Sequence, residues 1–282
     1  MYLSLLRVNV DNRRGKQWLG STYRIHQRLW MAFPDSERRQ DDPFFLGTWD
    51  GPPLAEPKPE RRDAGFLFRI EHDGHPRILV QSVQKPDWEY AFQNAPHLLA
   101  DEPRTREFDP TPRRDDAYRF RLLANVVYPK SVPHPDGRMR TTRSGLTIRR
   151  RKRTEIPVFP RPIPDALPTD PAERQQVLFA RWDPWRQWLN RVAKDRGFRV
   201  IDEVGEREPS LLMEAVHTVV RNPARGRDAS HQDKPTRKRY NAGLFEGMLV
   251  CTDPDQLRDA IINGIGHGKA FGFGLLSIAP AK

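Results

Sequence analysis

Hydrophobic residues first recur with the period of a strand. Tyr2 to Val10 alternates and is rich in Leu and Val, which predicts a β-strand. Asp11 to Gly20 is polar and predicts a loop. From Ser21 the period lengthens. Ile25, Leu29, Ala32 and Phe33 recur every three or four residues, which predicts one apolar face of a helix. Tyr23, His26 and Trp30 share the neighbouring face. Ser21 is of the N-cap type, and Pro34 stops the helix. Gly51 to Arg62 carries four prolines and predicts a surface loop. Phe66–Glu71 and Arg77–Gln84 predict two strands joined through the turn pair Asp73-Gly74. Asp87 to Phe92 predicts a short helix, and Tyr118–Asn125 a further strand. Residues 1–128 therefore read β-α-β-β-α-β, the order of a ferredoxin-like domain.

The second half repeats this order without repeating the sequence. Thr147–Phe159 predicts a basic strand, and Pro157 to Pro171 an extended, proline-rich crossing. Asp170-Pro171-Ala172-Glu173 is a helix start, since proline suits the first helical turn. It predicts one long helix to Arg196, ended by Gly197. Phe198–Glu203, Leu211–Arg221 and Lys238–Thr252 predict strands around a polar, basic stretch, Asn222 to Arg237. Asp253-Pro254 opens a helix to about Asn263, and Leu275–Ala279 is a last apolar strand. Three parts are expected: 1–128, a basic, proline-rich connecting segment or insertion 129–172, and 173–282.

Composition narrows the partners. Of 282 residues, 37% are hydrophobic, enough to fill a core. The formal net charge is +11, and fixed positive charge gains affinity by releasing counterions from phosphates, so a polyanion is the expected partner. The charge is also clustered. Gly137 to Arg153 holds eight basic residues and no acidic one. A second run holds Arg221, Arg225, Arg227, Lys234, Arg237, Lys238 and Arg239. A basic hairpin of this kind can enter the narrow major groove of A-form RNA and meet its phosphates, although a charge run also serves simply as a solvated loop. The single cysteine, Cys251, excludes an internal disulfide and a cysteine-based zinc site. No apolar run approaches the ~20 residues of a membrane span, and the first residues lack a signal-peptide core, so a cytoplasmic protein is expected.

Two constellations carry chemistry. Tyr23 and His26 place a phenol and an imidazole one helical turn apart. Cleaving RNA without metal requires a group that deprotonates a 2′-OH and a group that protonates the 5′-oxygen, and histidine titrates where it can do either. The same spacing also suits the edge of a helix half-buried in a core. Gly264 to Gly274 contains five glycines around Lys269. Glycines let backbone N–H groups approach an anion. The loop is no Walker motif, because Ala270 follows the lysine, and it follows a helix and precedes a strand, the reverse of a dinucleotide fingerprint. A tight turn packing the last strand would use the same glycines. The other histidines are scattered, without metal-ligand spacing, so neither metal nor cofactor is expected.

Several segments resemble the CasE (Cse) family, the CRISPR RNA-processing endoribonucleases of the type I-E system. They are Met1-Tyr2-Leu3-Ser4, the helix Tyr23 to Trp30, Leu79-Val80-Gln81-Ser82, Phe120 to Asn125, Phe245-Glu246-Gly247, and the end from Gly264-Ile265-Gly266 through Lys269, Gly272 and Gly274 to Pro280. The resemblance covers 1–128 and 173–282 in order. It implies an α+β fold of two tandem ferredoxin-like (RRM-like) βαββαβ domains. It implies cleavage of CRISPR repeat RNA at the base of a stem-loop without metal, leaving a 2′,3′-cyclic phosphate and a 5′-OH. It also implies that the product crRNA is retained in Cascade beside the other subunits. The family's active-site pair falls on Tyr23 and His26, and its loop lysine on Lys269. Its RNA-binding loop glycines fall on Gly266, Gly268 and Gly272, and its basic hairpin near Arg221–Arg239. Residues 129–172 are longer and richer in Pro and Arg than the family pattern, and His267 stands where proline is common. A non-catalytic subunit that holds an RNA hairpin would share the same basic surface.

Overall fold

The computed structural model describes residues 1–33, 65–72, 74–133, 139–141, 147–149, 151–202, 211–221 and 237–281. The proline-rich loop 51–62 and the basic stretch 222–236 lie outside the described residues. The fold is α+β, and its two larger antiparallel sheets among the described residues each pack against helices.

The first sheet contains β1 (Tyr2–Arg7), β2 (Phe66–Glu71), β3 (Arg77–Ser82) and β4 (Arg104–Glu107) in the order β2-β3-β1-β4. This is the ferredoxin-like order. Helices α1 (Arg13–Leu19), α2 (Thr22–Trp30) and α3 (Trp88–Phe92) accompany it. The apolar face foreseen for α2 is buried: Ile25 and Leu29 pack with Leu6, Phe68, Ile78 and Val80. Helix α1 forms where a loop was expected. Its charged sequence hides the signal, which is a cap: the Asn12 side chain accepts from the Arg14 N–H at 2.8 Å, and Trp18 anchors the turn in the core.

The second sheet contains β5 (Ala117–Asn125), β10 (Phe198–Ile201), β11 (Leu211–Arg221), β12 (Arg237–Cys251) and β13 (Leu276–Pro280). Its order is β10-β12-β5-β13, and β11 also pairs with β12. β10 faces Met248–Cys251 and β11 faces Arg237–Gly247, so two strands share one place. The strand expected to close the first unit is thus the first strand of the second. The first sheet is closed instead by β4, whose four residues are all exposed and charged or polar, and which pairs with β1 through its backbone. We therefore place the division between 107 and 117 rather than at 128.

Residues 127–157 are an excursion within the second unit rather than a connection between units. β6 (Val127–Pro133) pairs with β9 (Arg151–Pro157), and β7 (Met139–Thr141) pairs with β8 (Thr147–Arg149), each an antiparallel pair. The single long helix foreseen from Asp170 to Arg196 is two, α4 (Pro171–Ala180) and α5 (Asp183–Lys194). The corner between them is held by Arg186, whose guanidinium lies 3.3 Å from the Phe179 ring centroid and pairs with Asp202 at 3.0 Å. Helix α6 (Pro254–Asn263) is capped by Asp253 as expected.

The two units are locked by a buried arginine. Arg69 of β2 donates to Glu71 (2.8 Å), to the Leu275 carbonyl (3.1 Å) and to Ser277 Oγ (3.1 Å). Gln81 Nε2 donates to the Ile261 carbonyl at 2.5 Å. These bonds bring the glycine-rich loop of the second unit against α2 of the first.

Candidate active site

Helix α2 begins where the Ser21 side chain accepts from the Arg24 N–H at 3.4 Å. With Ile25 and Leu29 fixed inward, its adjoining face carries Tyr23, His26 and Trp30. The His26 imidazole stacks on Phe66 (5.3 Å between centroids, 26°) and Phe68 (6.2 Å, 24°), and meets Trp30 edge-on at 5.7 Å. This aromatic surround strips water from the ring. Burial lowers its pKa to about 4, and its buried Nδ1 has no hydrogen-bond partner. At neutral pH the ring is an uncharged base. Tyr23 Oη accepts from Gln27 Nε2 at 3.2 Å, which leaves the phenol's own hydrogen to be donated elsewhere.

The glycine-rich loop supplies the opposite wall. Gly268 (φ +83°) and Gly272 (φ +86°) bracket a single 3₁₀ turn, Lys269–Phe271, and both occupy the left-handed region that other residues rarely adopt. A Cβ on Gly272 would lie 3.2 Å from the Phe68 ring, the ring that stacks on His26. The missing side chain is what lets the turn rest against the imidazole's support. The turn packs directly on α2, and Lys269 Nζ donates to the Asn263 carbonyl. Tyr240 of β12 pins the turn from the other side, 5.1 Å from Phe271 and 5.5 Å from Phe273.

The structure thus brings together Tyr23, His26, Lys269, Gly268 and Gly272. Gly266 (φ +79°) lies on the other flank of the loop, near Trp188. Arg221 pairs in register with Arg237, and Val220 and Val219 pair with Lys238 and Arg239. These four basic residues therefore stand at the paired ends of β11 and β12, next to Tyr240, and β11 also contacts α2. Arg225, Arg227 and Lys234 lie outside the described residues. Sequence reading missed Phe66, Phe68 and Gln27. The alternation Phe66-x-Phe68 on a strand was the available signal for the first two, since it places both rings on one face. Among the described residues no group of three or more His, Cys, Asp or Glu is placed to hold a metal ion. No helix among them is long and apolar enough to cross a membrane.

Two ferredoxin-like units, with a desolvated imidazole on the first facing a glycine-held lysine turn on the second, define a tandem ferredoxin-like protein with its candidate site at the junction of the units. A family model described as "CRISPR associated protein" matches residues 1–280, and the chain belongs to that family. It is 25% identical over 281 residues to the CRISPR-associated endoribonuclease Cse3 of Thermus thermophilus, covering 99% of this chain and all of the relative. It is 23% identical over 283 residues to the CRISPR system Cascade subunit CasE of Escherichia coli, again covering 99% of this chain and all of the relative. A solved structure of CRISPR endoribonuclease Cse3 bound to a 19-nucleotide RNA shares the fold, with a TM-score of 0.57 and 23% identity over 99% of this chain and 100% of that one. These relatives agree with the CasE (Cse) resemblance carried by the sequence motifs.

Proposed function

We propose that this protein is a metal-independent endoribonuclease that cuts CRISPR repeat RNA at the base of a stem-loop and stays with the crRNA in Cascade, in the cytoplasm. The observation that carries the reading is the neutral, desolvated imidazole of His26 beside the Tyr23 phenol and the Lys269 turn. In the reaction the His26 imidazole accepts the proton of the 2′-OH. The 2′-oxygen forms a bond to the adjacent phosphorus, and the P–O5′ bond breaks. The products are a 2′,3′-cyclic phosphate and, once the departing oxygen gains a proton, a 5′-OH. The imidazolium formed in the first step and the Tyr23 phenol are the available proton sources.

Lys269 belongs to the turn that packs on α2, and on this reading its ammonium leaves the Asn263 carbonyl to balance charge on the phosphate as the transition state forms. The approach of a phosphate raises the pKa of His26, because a negative charge favours the imidazolium. Binding of substrate therefore makes the ring a stronger base when a base is needed. On this reading the basic residues at the paired ends of β11 and β12 follow the phosphates of a stem. The test is incubation of the protein with its host's repeat RNA in EDTA, with the product ends identified. Cyclic-phosphate and 5′-OH ends are expected. A strict requirement for Mg²⁺, or cutting of an RNA carrying 2′-deoxy at the cleavage position, would contradict the mechanism. Binding without cleavage would instead mark a non-catalytic hairpin-holding subunit.

A further inference from the structure

Helix α2 ends on a large side chain that the core does not use. Ile25 and Leu29 are fully buried and Ala32 is nearly so, yet Trp30 between Leu29 and Ala32 is 40% exposed. A lone exposed apolar residue is ordinary on a protein surface. What sets Trp30 apart is its place. Its indole meets the His26 imidazole at 5.7 Å between centroids with the ring planes at 88°, so the two rings are not stacked. The imidazole stacks on Phe66 and Phe68 instead, and His26 is the one ring among the described residues that Trp30 meets. Trp30 lies four residues beyond His26 and seven beyond Tyr23, about 6 Å and about 10 Å along the helix axis. Side chains on a helix lean towards its N-terminus, so the indole leans over the turn that holds His26. The face therefore runs phenol, imidazole, indole. The first two are half-buried and the third is open to solvent.

We propose that Trp30 stacks on the unpaired nucleobase beside the scissile phosphate; this rests on the endoribonuclease reading above. A cut at the base of a stem-loop leaves the scissile phosphate between one nucleotide of the stem and one outside it. The outer base has no pairing partner, so its faces are free. A strand that places its reacting 2′-OH at His26 has that base within reach of an indole one helical turn away. Aromatic side chains hold splayed bases by stacking, and the stack tolerates any base because every base has a π-face. A phosphate gains nothing from an uncharged indole, and a base inside the stem has both faces covered by its neighbours. The stack fixes the strand on one side of the scissile phosphate, while the Lys269 turn forms the opposite wall of the site. Held in this way, the 2′-oxygen, the phosphorus and the departing 5′-oxygen are lined up before the proton moves. Trp30 is then a positioning residue: it moves no proton, and its ring acts on the base rather than through His26.

The test uses the full chain and the host repeat stem-loop with its natural unpaired flank. One RNA is intact, and a second is abasic at the unpaired nucleotide beside the cut. Each is made in a cleavable form for single-turnover rates and in a 2′-deoxy form for binding. With wild-type protein the abasic change should lower the rate or the affinity roughly tenfold, the scale of one base–aromatic stack. Trp30→Leu keeps an apolar side chain against His26 and removes the flat ring. It should show the same loss on the intact RNA and no further loss on the abasic RNA, because both changes remove one contact. Trp30→Phe, which keeps a ring, should recover most of the loss. An abasic RNA that wild-type protein binds and cuts as well as the intact one overturns the inference, and that arm involves no altered protein that could misfold. Losses that add in Trp30→Leu overturn it too. Additive losses with a shifted pH–rate profile show that the indole acts by desolvating His26. If the wild type cuts the intact RNA and the abasic change is silent, only the stacking inference fails. If the wild type neither binds nor cuts the stem-loop, the endoribonuclease reading fails and the stack with it.

Discussion

Burying His26 against three aromatic rings has a cost that can be measured without any RNA. In the unfolded chain the imidazole titrates near its ordinary 6.5, and in the folded protein burial lowers it to about 4. The unfolded state therefore binds the proton more readily. Above about pH 6.5 both states are neutral and the group contributes no pH dependence. As pH falls from 6.5 towards 4 the folded state loses stability, and below 4 the loss levels off. A shift of this size corresponds to about 3 kcal/mol when fully developed, of which about 1.8 kcal/mol falls between pH 7 and pH 5. The perturbation is His26→Phe, which keeps an aromatic ring stacked on Phe66 and removes the titration. Urea unfolding of both proteins at about pH 7 and about pH 5 isolates the effect, because the carboxylates common to both cancel in the comparison. The variant should gain about 1.8 kcal/mol on the wild type over that interval. Parallel pH dependence in the two proteins would refute the claim that the site holds a neutral imidazole.

Three further outcomes follow from the same geometry. His26→Ala should lower single-turnover cleavage roughly 10²- to 10⁴-fold with little change in RNA affinity, the range of a general acid–base group; near-normal rates would remove His26 from the chemistry. Gly272→Ala places a Cβ against Phe68 at a φ of +86°, so it should cost about 1–2 kcal/mol in urea unfolding and slow cleavage by loosening the imidazole's support. Unchanged stability would show that the turn does not depend on this glycine. Replacing Arg237, Lys238 and Arg239 together with Ala should flatten the salt dependence of RNA binding by roughly 0.7–0.9 in log–log slope for each phosphate that is no longer neutralised. An unaltered slope would place the RNA elsewhere.

Much of this protein was decided by local sequence. Ser21 and Asp253 cap the helices they were expected to cap, and Phe66–Glu71, Leu211–Arg221 and the helix of residues 254–263 form where hydrophobic period and capping placed them. The cause is short-range: caps satisfy orphan N–H groups, and period fixes which face can be buried. Tyr23 and His26 share a face because a helix repeats every 3.6 residues. Other features had no local signal. β4 is a strand only because the edge of β1 offers it backbone partners, and its side chains are all exposed, so no alternation betrays it. The strand 117–125 reads the same in either sheet, and only long-range pairing with β12 and β13 assigns it to the second. The break between α4 and α5, by contrast, carried a local signal, Pro184 in the first turn of α5, and the ion pair of Arg186 with Asp202 beyond the helix holds the corner. The site itself is a tertiary product. His26 becomes a neutral base only when Phe66, Phe68 and Trp30 displace its water, and the Lys269 turn packs on α2 only because Arg69 and Gln81 tie the two units together. Sequence determines which groups are available; desolvation and juxtaposition arise only from packing residues far apart in the chain.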